Sequence, residues 1–244
     1  MWLDQMADLA EQRHSVAFDL RGFGRSDPVV PGYLDARLYA DDVAAVIKHF
    51  GGPADVVGFS AGGAIALQMA ARHPELVRST VLISAGLRGL SATAQARGAT
   101  TPAPVSGERG ASDYLETNQR RAVYEGKAAL FDRFQVAGYH FGPAATNFAK
   151  ARYRSMFEGT RSDMMVSTFL TLEQQPDYTP LLDSIEHPVL FVRGSDESIT
   201  GRAELEARAA SMKNAGVVEI PESGRFVMLE NPHALSDALA RFWS

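Results

Sequence analysis

Residues 56–67 read VVGFSAGGAIAL, an apolar run led by valine, then a serine between glycines, then an alanine-rich run. The order is strand, sharp turn, helix. A serine hydroxyl is a poor nucleophile, so an enzyme that uses one must expose it, pass its proton to a base and stabilise the oxyanion that forms. The G-x-S-x-G spacing of Gly58, Ser60 and Gly62 supplies part of this, because small neighbours let a strained serine stand out of the turn. Backbone N–H groups at the helix start face the developing charge, that of Ala61 foremost. Ser60 is the candidate nucleophile, and the open question is what takes its proton.

Around this stretch lie five short β-like runs: SVAFDL (15–20), DVVGF (55–59), STVLISA (79–85), PVLFVRG (188–194) and VVEIP (217–221). They are mostly continuous apolar runs, the pattern of strands buried on both faces of a parallel sheet. Helix-like stretches at 40–50, 62–74, 202–212 and 232–244 alternate with them, which sets the class as α/β. The alternation fails between Leu87 and Gln175. A Gly/Ala/Ser/Thr/Pro-rich stretch opens that region and reads as a mobile loop, and helix-like segments follow near 113–137, 144–158 and 161–175. The expected organisation is a core of 1–86 and 177–244 with a helical cap inserted at 87–176. Tyr114, Tyr124, Phe131, Phe134, Tyr139, Phe141, Phe148, Tyr153, Phe157 and Phe169 sit in the insertion. Most are expected to pack cap against core and a few to line an apolar pocket above Ser60.

With 244 residues and 45% apolar composition the chain can bury a large core. Its net charge of −5, with Lys and Arg scattered, gives no footprint for nucleic acid or an anionic membrane. No cysteine is present, which removes disulfides, thiolate nucleophiles and sulfur-ligated metals. The six histidines are dispersed without a metal-binding spacing, so no metal and no cofactor are expected. GFGRSD (22–27) follows a strand-like run but lacks the third glycine of a dinucleotide loop, and Asp27–Pro28 stand where its helix should start. It reads as a surface turn. MWLDQMADLAEQ has neither a basic nor an apolar leader region, and no run approaches the ~20 apolar residues of a membrane span. A soluble cytoplasmic protein is expected.

HSVAFDLRGFGRSD (14–27), VVGFSAGGAIALQMAARHPELVRSTVLISA (56–85), HPVLFVRGSDESIT (187–200) and ESGRFVMLENP (222–232) resemble successive blocks of the α/β-hydrolase superfamily, in order and with ordinary spacing. The resemblance spans nearly the whole chain outside the insertion, which falls where that family carries its cap. It implies an α/β-hydrolase fold and an activity on esters or similar acyl compounds. The family also holds lactonases, C–C hydrolases and cofactor-free haloperoxidases, and a serine disfavours the branches with an aspartate nucleophile. By resemblance Ser60 takes the nucleophile position and Glu197 the acid position, with Asp196 the alternative one place earlier.

Two departures follow from the same resemblance. The family places its histidine directly after the glycine of the last block, and here Arg225 stands there. A triad histidine takes the serine proton and returns it, which needs a pKa near the working pH, whereas a guanidinium has no lone pair to accept one. A substitute base would have to come from elsewhere, His140 of the insertion being the first candidate. The amino end begins at what resembles the helix after the family's HG-containing loop, leaving half of the oxyanion hole unaccounted for. The strand that the family places between those matching SVAFDL and DVVGF is absent too. Either those two runs pair directly, or SVAFDL moves to an edge, or another chain fills the gap, for which a homodimer would serve.

Three functions are compatible with these residues. One is a hydrolase acting through Ser60 on a small, largely apolar acyl substrate with an impaired or rebuilt triad. Another is a binding protein in which Arg225 pairs with Glu197 and holds an anion with Ser60 and the Ala61 N–H. The third is a lyase or cyclase-type enzyme using Arg225 for charge stabilisation without an acyl-serine.

Overall fold

The computed structural model describes residues 1–88, 124–136 and 141–244. Strands β1 (Ala54–Phe59), β2 (Val77–Ile83), β3 (Val189–Gly194) and β4 (Ala215–Ile220) form one parallel sheet in chain order. The helices are α1 (Leu3–Asp8), α2 (Ala36–His49), α3 (Ala61–Arg72), α4 (Lys127–Val136), α5 (Asn147–Gly159), α6 (Ser162–Gln174), α7 (Arg202–Ser211), α8 (Val227–Glu230) and α9 (Pro232–Phe242). α4 to α6 fall between β2 and β3.

The period of two along a strand sorts the apolar residues into two cores. In β3, Val189 and Phe191 join a core with α2, α3 and α7, while Leu190 and Val192 join another with α8 and α9. The continuous apolar runs of the sequence thus mark strands covered on both faces. α3 is buried along Gly63–Ala70, and its alanines meet Ala40 and Ala44 of α2 in the same core. Register aligns Phe59 with Ile83, Ile83 with Val192 and Gly194 with Ile220, so all four strands end along one rim. In open α/β sheets that rim is where ligands bind.

One strand expectation is overturned. Residues 15–20 adopt no strand, and β1 occupies the edge of the sheet with β2 as its one partner among the described residues. SVAFDL therefore neither pairs with β1 nor adds an edge strand. Val16 and Phe18 remain 43% and 41% exposed. β-propensity expresses itself only against a neighbouring strand and a half-buried surface, and this run has neither.

The turn after it matches the reading of GFGRSD. Gly22 and Gly24 take positive φ, and the Asp19 carboxylate accepts from the Arg25 N–H. In the insertion Phe131 and Phe169 are buried, but Tyr124 and Phe148 are 83% and 75% exposed. Tyr114, Tyr139, the side chain of Phe134, and the Gly/Ala/Pro-rich opening from residue 89 on lie outside the described residues. No helix among those described is long and apolar enough to cross a membrane.

Candidate functional site

The chain turns from β1 into α3 at Ser60, whose φ of 54° is left-handed, a strained state for a residue with a side chain. Two glycines allow it. A Cβ on Gly58 would lie 2.2 Å from the Gly62 carbonyl oxygen, and one on Gly63 would lie 2.4 Å from the Ala85 Cβ. Gly62, the last letter of the sequence pattern, has open space where its Cβ would be. The turn thus needs Gly58 and Gly63 sterically, and Gly63 is not in the pattern. The Ser60 N–H donates to the Ile83 carbonyl at 3.0 Å, tying the turn to the end of β2. The N–H of Ala61 has no acceptor among the described residues, as the first turn of a helix leaves it.

Arg225 reaches this serine from 165 positions further along the chain. Its Nη2 donates to the Ser60 Oγ at 2.7 Å, and its Cζ lies 5.7 Å from the centre of the Phe59 ring. Burial pulls the Arg225 pKa below its ordinary value, and the nearby charge of Glu197 opposes that pull. Ser60, Ala61 and Arg225 are each half-buried, so a small molecule can reach them.

Glu197 and Asp196 separate clearly. Asp196 is exposed, whereas Glu197 is 7% exposed and its Oε2 accepts from the Ser84 hydroxyl at 2.7 Å. Glu197 Oε1 is buried without a hydrogen-bond partner among the described residues. The expected Glu197–Arg225 ion pair does not form: Arg225 makes no such contact within 4.0 Å among the described residues. Ser84, which follows β2 with φ of 44°, has its hydroxyl 3.2 Å from the Arg225 carbonyl oxygen as well.

Both loops are anchored by charged side chains, a buried one and a half-buried one. Arg193, on β3, donates from Nη2 to the Glu197 carbonyl at 2.6 Å and from Nε to the Thr200 carbonyl at 3.0 Å, and its Nη1 pairs with Glu219 on β4. The Arg225 loop is held by Glu230. Its Oε2 accepts from Gly224 N–H at 2.9 Å and from Gly142 N–H at 2.7 Å, and its Oε1 from Phe226 N–H at 2.9 Å. Burial raises the Glu230 pKa, against these three bonds, which favour the ionised form. A Cβ on Gly224 would lie 2.4 Å from the Gly142 nitrogen, so the two backbones touch where the carboxylate bridges them.

Aromatic rings flank the cluster. Tyr153 of α5 lies 4.1 Å from Phe226 between ring centroids, and Phe141 lies 5.1 Å from Phe226. Burial pushes the Tyr153 pKa up. His140 lies outside the described residues. His73 contacts Asp41, His187 contacts Thr80 and His233 contacts Asp8, all remote from Ser60 in their bonding. No group of three or more His, Cys, Asp or Glu among the described residues can hold a metal ion.

What the cluster can do follows from its hydrogen-bonding roles. Arg225 donates, the Ala61 N–H donates, and the Ser60 oxygen is an acceptor toward Arg225. No described histidine stands ready to take the serine proton. Ser84, Arg193, Glu230 and Gly63 went unnoticed in the sequence, although the Glu at the fifth place after Arg225 is a local signal for a carboxylate folding back onto a helix start.

Comparison with known proteins places these features in context. The family model described as "Alpha/beta hydrolase family" matches residues 1–238. A 2-(acetamidomethylene)succinate hydrolase of Mesorhizobium japonicum is 29% identical over 97% of this chain and 81% of its own length. A pimeloyl-[acyl-carrier protein] methyl ester esterase of Chromobacterium violaceum is 30% identical over 91% of this chain and 80% of its own. Among solved structures, a thermophilic esterase from Thermogutta terrifontis superposes with a TM-score of 0.80 at 22% identity, covering 99% of this chain and 84% of that one. An enol-lactonase from Burkholderia xenovorans gives 0.78 at 21% identity, covering 99% and 85%. At such identities these two likenesses carry the fold.

Proposed function

Since the chain belongs to the α/β hydrolase family, we propose that it hydrolyses an ester or similar acyl compound at Ser60, slowly, because Arg225 stands where the proton acceptor belongs. The observation that carries this is the strained, reachable Ser60 with a guanidinium 2.7 Å from its oxygen. Esterase and hydrolase relatives near 30% identity support the reaction class.

In this reading Ser60 Oγ attacks the acyl carbon and its proton passes to solvent. The carbonyl oxygen, now negative, meets the Ala61 N–H and the positive field of Arg225. The alcohol leaves with a proton from water, and a second water cleaves the acyl-serine to the free acid. Among the described residues Glu197 has no imidazole to orient. It balances the Arg225 charge from a distance and is itself oriented by Ser84. Sites stripped of a triad member keep a residual acceleration of ~10³ to 10⁴ over water. The segment between β2 and β3 acts as a cap whose Tyr153 and Phe141 give the acyl group an apolar wall.

The test is a panel of p-nitrophenyl acetate, butyrate and hexanoate with the native chain and Ser60→Ala. Turnover above buffer that disappears with the serine is expected. Equal turnover by both proteins ends the serine mechanism.

A further inference from the structure

We propose that Ser60, the Ala61 N–H and Arg225 form a receptor for the carboxylate of a small apolar acid, so that the site holds free acids more tightly than uncharged acyl compounds. The proposal rests on the reading of this cluster as the acyl site and adds what that site recognises.

The argument begins from donors. A guanidinium carries five N–H groups and no acceptor. One of the five, on Nη2, points at Ser60, and neither Nε nor Nη1 hydrogen-bonds to any described residue. Because the Ser60 oxygen accepts from Arg225, the serine's own proton is free to point elsewhere, and no described residue accepts it. The Ala61 N–H is likewise without an acceptor, and it opens a helix of twelve residues with no acidic side chain in its first turn. Three kinds of donor therefore converge, all half-buried, at the positive end of a helix.

The charge around them points the same way. The carboxylate nearest in effect, Glu197, is turned toward Ser84, and Arg225 has no ion-pair partner among the described residues. A cation held out of water without one is costly, and a carboxylate arriving from solvent supplies it. Two parallel N–H···O bonds from one guanidinium fit a carboxylate, and charge-assisted bonds are about twice as strong as neutral ones. An ester or amide offers a single neutral carbonyl to the same donors. A histidine would have lent the site an acceptor, whereas Arg225 makes it a site of donors alone. The half-buried Phe59 ring beside the Arg225 Cζ, backed by the buried Phe226, gives the body of the acid an apolar and aromatic surface. The ligand class is a monocarboxylate of a few carbons or one ring.

Calorimetric titration at pH 7 with butyrate, hexanoate and phenylacetate, against their primary amides, tests this. The native chain should bind at least one acid about tenfold or more tighter than its amide. Arg225→Met and Arg225→Gln, each checked for folding by circular dichroism, should bring that ratio below about threefold. A native ratio under about tenfold, no acid binding at about 10 mM, or a preference that survives in whichever variants fold, overturns the proposal. Ester turnover on the same preparation keeps the two readings apart. Ser60-dependent turnover without acid preference sinks the receptor alone, and acid preference without such turnover sinks the hydrolytic reading alone.

Discussion

The loop after β3 and the loop after β4 meet where the Asp196 N–H donates to the Ser223 carbonyl, and they differ in one respect. Each is fastened by a charged side chain on its backbone: Arg193 holds the carbonyls of Glu197 and Thr200, and Glu230 holds the N–H groups of Gly224 and Phe226. Each delivers one ionisable side chain to the end of the sheet. The first delivers a carboxylate already oriented by Ser84, the second a guanidinium where the family's pattern has an imidazole. Both side chains are thus held by a charged partner that grips the loop backbone, and one of them is an acceptor while the other can only donate. Precision of placement and competence for proton transfer are separate properties of a site.

The comparison breaks most sharply at Arg225. General-base catalysis contributes about 10²- to 10⁴-fold, so Arg225→His should raise kcat/KM on p-nitrophenyl butyrate by about that factor. The gain should vanish in the double variant with Ser60→Ala. An unchanged rate would mean that the loop does not deliver its side chain as a base must be delivered.

Next in size is the anchor of the acid loop. Arg193→Met leaves Glu219 with only the longer contact to Arg202 and two carbonyls without donors, and should cost about 3 kcal/mol in urea unfolding. Glu230→Ala strips acceptors from three backbone N–H groups and should cost about 2 kcal/mol, with Glu230→Gln recovering part of it. The Glu230→Ala change should also lower the gain from Arg225→His, while Arg193→Met should lower it through Glu197.

The smallest effect lies away from the site and sets a baseline. Asp35 caps α2 by accepting from the Arg37 N–H, and the Arg37 side chain, together with that bond, holds its pKa below the ordinary carboxylate value. Its folded pKa is depressed, so its contribution is complete above the ordinary pKa and is lost as pH falls through the lowered value. Asp35→Ala should cost about 1 kcal/mol at pH 7 and almost nothing once the acid is protonated in both states.

How much of this could be read from the chain depends on range. The runs at 55–59, 79–85, 188–194 and 217–221 were legible because burial on both faces leaves a continuous apolar signal within a few residues. The Ser60 turn was legible because its small neighbours are adjacent, though Gly63 rather than Gly62 meets the steric demand. SVAFDL misled because a strand needs a partner that its own composition cannot announce. The meeting of Arg225 with Ser60 was accessible through resemblance alone, since no local pattern links positions 165 apart. Ser84, Arg193 and Glu230 stayed hidden because each acts on distant backbone or carboxylate atoms, and a lone Ser, Arg or Glu looks like any other. The turn of Glu197 toward Ser84, away from Arg225, was hidden for the same reason.

The central claim is that Ser60 is well placed but not activated, because its neighbour can only donate. Labelling by a fluorophosphonate, followed by intact mass, measures the reactivity of that oxygen without knowledge of any substrate. The account predicts slow modification of the native chain, at least about a hundredfold faster modification of Arg225→His, and none of Ser60→Ala. Labelling of native Ser60 as fast as in Arg225→His would contradict it.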